Sequence, residues 1–91
     1  MTNAEFIKRL RKAKEIALRL YPNSFCILDA CEIAFKLRAG WHNGCDFVWP
    51  ARPFGGSQSW VIEHCKSPAD IALVFDNSIA DRQREIAEGK P

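Results

Sequence analysis

The chain has 91 residues, 47% hydrophobic and 26% charged, with a formal net charge of +2. That length makes one domain, and that balance describes an ordinary soluble globular protein rather than a disordered one. The total charge selects no partner. Its distribution is uneven, however: residues 1–52 carry nine Lys/Arg and five Asp/Glu, and residues 53–91 carry four and six. The longest run without Asp, Glu, Lys or Arg is Pro53–Ile62. This is too short for a membrane span, which needs about 18 apolar residues. The first twenty residues hold eight charged side chains, unlike the apolar centre of a signal peptide. A cytoplasmic location is expected, where four cysteines remain free thiols.

Thr2-Asn3-Ala4-Glu5 reads as a capping box. Phe6, Leu10, Ala13, Ala17 and Leu20 follow at helical spacing, and Pro22 stops the run, so the first helix covers about residues 3–21. Its outward positions are basic, and Glu15 is spaced to pair with Arg19. Asn23 or Ser24 then caps a second helix that ends at Gly40. Ile27, Leu28, Cys31, Ala34 and Phe35 form one apolar face of it, and Cys26, Ala30, Ile33 and Leu37 form another. A helix apolar on most sides is a buried one, so the second helix is expected to be the central element.

Asp46–Trp49 and Ser59–His64 are rich in strand-forming residues, and Pro50–Ser57 between them holds two prolines and two glycines. This predicts a β-hairpin whose Phe47, Trp49, Trp60 and Ile62 face the second helix. Ser67-Pro68-Ala69-Asp70 signals a helix start, and Gly89 a helix end. The competing reading makes Ile71–Phe75 a third strand, stopped by Asp76-Asn77-Ser78. The stretch "ADIALVFDNSIADRQREIAEG" (Ala69–Gly89) resembles the tail of zeta-toxin-like small-molecule kinases, in which a strand ends in an Asp-Asn-Ser turn. The resemblance covers under a quarter of the chain and implies the strand. It implies no kinase activity, because the phosphate loop that defines those enzymes is missing from this sequence. Taken together, the elements predict an α+β domain: two N-terminal helices, a β-hairpin with or without a third strand, and a C-terminal helix, in two layers.

Chemistry is sparse. His42 and Cys45 have plausible zinc-ligand spacing, but His64 and Cys65 are neighbours, which a strand would point to opposite faces. Cys26 near the start of a helix could act as a nucleophile, yet Cys26 and Cys31 sit in apolar runs where cysteines are ordinarily buried. The acids of the last segment alternate with Arg82 and Arg84, the pattern of a solvated helix face. No catalytic residue, metal or cofactor is therefore expected. Trp41, Arg52 and Phe54 stand out in polar or turn contexts and are of the types that protein interfaces favour. Their expected role is to bind a partner.

The expectation for function is a small non-enzymatic inhibitor or adaptor docking on a larger protein or ribonucleoprotein complex. By kind and size it is similar to phage-type inhibitors of host machinery, anti-CRISPR proteins among them. The alternative is a nucleic-acid-binding regulator in which Lys8, Arg9, Arg11 and Lys12 of the first helix meet phosphates or an acidic surface. A monomer is expected, or a homodimer paired through the hairpin edge.

Overall fold

The structure, a computed structural model, describes residues 2–23, 26–35 and 66–90. They form three α-helices: α1 (Asn3–Leu20), α2 (Cys26–Ala34) and α3 (Pro68–Ala87). The described residues are 82% helical and contain no strand, which overturns the α+β expectation. The hairpin over Asp46–Trp49 and Ser59–His64, and the packing of its apolar face on the second helix, lie outside the described residues. So does the extension of the second helix to Gly40.

The start of α1 follows from its first residues. The Thr2 Oγ1 accepts a hydrogen bond from the Glu5 amide at 3.2 Å, satisfying one of the amides a helix start leaves unpaired. Its end follows from Pro22. Tyr21, the residue before the proline, has ψ 137°, the extended backbone that a following proline imposes, and the helix stops at Leu20. Along α1, Phe6, Ile7, Leu10, Ala13 and Ala17 are buried, and Leu20 is packed against the same core. Ala13 and Ala17 are fully buried. Small side chains at these positions let neighbouring backbones approach closely.

α3 is one continuous helix through the Asp76-Asn77-Ser78 stretch, so Ile71–Phe75 is not a third strand. Two sequence signals outweigh the strand propensity of its residues. The Ser67 Oγ accepts from the Asp70 amide at 3.2 Å and Pro68 opens the helix, where its missing N–H costs nothing. Beyond that start, Ile71, Val74, Phe75, Ser78 and Ile79 are buried, which is the i, i+3, i+4, i+7, i+8 stripe of an amphipathic helix. Strand propensity is a preference that burial of this kind overrides. Helical spacing predicts Ala72, Phe75, Ile79 and Ile86 as the apolar face; of these Phe75 and Ile79 are buried, Ala72 is half-buried and Ile86 is exposed. At the other end, the Gly89 amide donates to the Ile86 carbonyl at 2.9 Å and the Lys90 amide to the Glu85 carbonyl at 3.0 Å. This double closure places Gly89 at φ 84°, where glycine carries no Cβ penalty.

Among the described residues the central helix is α1 rather than the second helix: it packs against both α2 and α3. Its partners along α3 run in reverse order. Asn3 Oδ1 accepts from Arg82 Nη1 at 3.2 Å, Lys14 Nζ pairs with Asp76 Oδ1 at 2.8 Å, and Tyr21 Oη donates to the Lys66 carbonyl at 2.8 Å. The two helices are thus antiparallel. On the other flank, Arg9 Nη1 donates to the Ala34 carbonyl at the end of α2, also at 3.2 Å. α2 is apolar over most of its surface, with Cys26, Ile27, Leu28, Ala30, Cys31 and Ala34 buried, and Phe35 just after it buried as well. Ile33, expected on its second apolar face, is 56% exposed.

One aromatic ring ties the three helices together. Phe6 of α1 lies against Phe35 with ring centroids 5.0 Å apart and planes tilted by 58°. The Arg82 guanidinium of α3 sits over the same ring, 3.9 Å from its centroid. Tilted ring pairs and cations over ring faces are both favoured by the aromatic quadrupole.

Candidate functional site

Trp41, Arg52 and Phe54 lie outside the described residues, as do His42, Cys45, His64 and Cys65. Among the described residues, no three His, Cys, Asp or Glu side chains gather in a way that would hold a metal ion. Cys26 and Cys31 are buried and form no disulfide. Burial pushes the Cys26 thiol above its ordinary pKa by penalising the thiolate, although backbone hydrogen bonds partly oppose this. A thiol held neutral in this way is a poor nucleophile.

The carboxylates of α3 are occupied. Asp70 accepts from the Lys66 amide at 3.0 Å and Asp76 is bound to Lys14. Asp81 pairs with Arg84 at 3.1 Å, Glu85 with Arg82 at 3.7 Å, and Glu88 with Lys90 at 3.5 Å. These pairs are partly exposed, so each is worth little to stability. Their consequence is local neutrality: α3 presents acids and bases that answer one another.

The outer face of α1 differs. Lys8, Arg11, Lys12, Glu15 and Arg19 are all exposed. They recur at i, i+3, i+4, i+7 and i+11, which puts them on one face of the helix, opposite Leu10, Ala13 and Ala17. Together they line an open depression of about 350 Å³ between their long side chains. None of the five makes an ion pair within the described residues, so the expected Glu15–Arg19 pair does not form. The face carries four cations and one anion.

The four cations expected on this helix thus divide. Lys8, Arg11 and Lys12 belong to the outer face. Arg9 turns toward the fold: its side chain is 25% exposed, its Nε pairs with Glu5 Oε1 at 3.2 Å, and its Nη1 caps the end of α2. Arg9 is a packing residue. Lys14 is likewise drawn away, to Asp76. Arg19, expected to be neutralised by Glu15, joins the face as its fourth cation. The helical spacing alone separates 8, 11, 12, 15 and 19 from the core stripe. What it does not show is which borderline cations find partners on other helices, since Ala34 and Asp76 are 25 and 62 residues away in sequence.

Among the described residues, no helix is long and apolar enough to cross a membrane. No protein-family model matches the chain, and neither the curated proteins nor the solved structures give a significant match. The reading of function therefore rests on the chain's own chemistry.

Proposed function

We propose that this chain is a small non-catalytic binding protein of the cytoplasm, an inhibitor or adaptor that docks on a larger protein or ribonucleoprotein complex, as phage-type inhibitors of host machinery such as anti-CRISPR proteins do. The observation that carries this reading is the outer face of α1. Elsewhere in the described residues the charged side chains are largely answered within the fold, whereas Lys8, Arg11, Lys12 and Arg19 are held on one rigid helix face with no partner there. A helix whose other side is built into the core presents such charges in fixed order, which reduces the ordering cost of binding. An array of one dominant sign also steers an oppositely charged partner to the surface. Trp41, Arg52 and Phe54, of the types that anchor protein interfaces, are proposed as a second contact.

The test is affinity capture from a host lysate with the tagged chain and with its Lys8→Glu/Lys12→Glu variant, each with and without nuclease. A discrete complex captured by the parent chain and lost by the variant is the expected result. Capture that the variant retains in full removes α1 from the interface. Absence of any stoichiometric partner overturns the binding reading.

A further inference from the structure

We propose that the outer face of α1 binds the phosphate backbone of a double-helical nucleic acid. The proposal rests on the binding reading above and narrows it: of the protein or ribonucleoprotein partners named there, the face is matched to a nucleic-acid component.

Three features of the face favour phosphates over an acidic protein surface. First, its make-up is charge without an aromatic anchor. Protein interfaces draw their energy from buried aromatic and apolar residues and are depleted in Lys and Glu. Here the face is made of Lys8, Arg11, Lys12, Glu15 and Arg19, Leu18 at its border is the one large apolar side chain exposed on α1, and the one aromatic side chain of the helix, Phe6, is buried on the opposite side. Second, the shape is linear. Lys8 and Arg19 are eleven positions apart, so the row extends about 16 Å along the helix axis. A duplex presents one negative charge per about 1.7 Å of its own axis, so a row of this length lies within reach of several phosphates. Third, the donors are of the phosphate-positioning kind. Lys and Arg grip phosphate oxygens, and the face carries no Asn or Gln of the kind that reads adenine. Single strands are held by bases stacking on exposed aromatic rings, and no such ring lies on this face. Duplex backbone is the occupant that fits all three features. Glu15 within the row weakens the binding but does not redirect it, because it is outnumbered four to one.

The experiment is fluorescence anisotropy of a labelled, mixed-sequence DNA duplex titrated with the full chain at several salt concentrations. Four phosphate contacts give a log–log salt slope of about −3 to −4, a loss of roughly 100-fold in affinity between about 50 and 200 mM salt. Lys8→Glu/Lys12→Glu is expected to reduce the slope by about two and to weaken binding at low salt by at least about tenfold. Lys90→Glu, at the far end of α3, is expected to leave both unchanged. Circular dichroism melts confirm that the variants fold, since both lysines of the double variant are exposed. A flat salt dependence, tighter binding to the unpaired single strand than to the duplex, or a double variant that binds like the parent overturns the proposal. If the duplex does not bind but a nuclease-resistant protein complex is captured through Lys8 and Lys12, the nucleic-acid inference fails and the binding reading stands. If neither occurs, both fail.

Discussion

Phe6→Ala is expected to lower the unfolding free energy by about 3–5 kcal/mol, the usual cost of truncating a buried phenylalanine. For a chain of 91 residues the whole stability is about 5–13 kcal/mol, so this one change removes a large fraction of it. The magnitude follows from what the ring touches. Phe6 is 7% exposed, meets Phe35 beside α2 and carries Arg82 of α3 on its face. Truncation opens a cavity where all three helices meet and leaves Arg82 without the ring it covers. Phe6→Leu separates the contributions. It keeps most of the apolar volume and loses the ring pair and the cation–ring contact, for an expected cost of about 1–2 kcal/mol. Urea unfolding of the two variants measures both. Equal and negligible effects would mean that the N-terminal half of α1 is not docked on the other helices.

Asn77→Pro is expected to cost about 3 kcal/mol or more, because a proline in a helix interior removes a main-chain hydrogen bond and its ring clashes with the preceding turn. A loss of 3 kcal/mol corresponds to a fall in melting temperature of at least about 12 °C for a domain of this size. Asn77 is the discriminating position. If Ile71–Phe75 were a strand ending in an Asp76-Asn77-Ser78 turn, proline beside it would be tolerated, since turns accept proline readily. In the continuous α3 it sits midway along the helix. Its side chain is only half-buried, so Asn77→Ala is expected to change stability by about 0.5 kcal/mol or less, which isolates the backbone effect.

The ends of α1 and α3 were legible in the sequence, and the relations between the helices were not. Thr2 and Glu5, Pro22, Ser67 and Pro68, and Gly89 act within a few residues of themselves, so a local rule suffices to read them. The choice of strand or helix for Ile71–Phe75 was harder, because those side chains satisfy strand propensity while their burial with Ser78 and Ile79 follows a helical period. That pattern becomes decisive only once there is a neighbouring helix to pack against. Among the described residues the central position falls to α1 rather than to the second helix, for a related reason. Its apolar composition marks it as buried, but it does not specify that α1, with Ala13 and Ala17 fully buried, packs against both of the other helices. At the candidate site, the basic character of α1 was visible from composition. The sorting of its cations was not. Arg9 and Lys14 are withdrawn by an Ala34 carbonyl and an Asp76 carboxylate that only tertiary structure brings near, and the Glu15–Arg19 pair permitted by spacing does not form.

In the proposed reading α1 has two faces with separate tasks, one built into the core and one left to a partner. The most direct measurement is amide chemical-shift mapping of the isotope-labelled chain during titration with the DNA duplex. Shift changes are expected to concentrate at and beside Lys8, Arg11, Lys12, Glu15 and Arg19, with Leu10, Ala13, Ala17 and the length of α3 little affected. Changes centred on α3 or on the buried face of α1, or a spectrum that the duplex leaves unaltered, would contradict it.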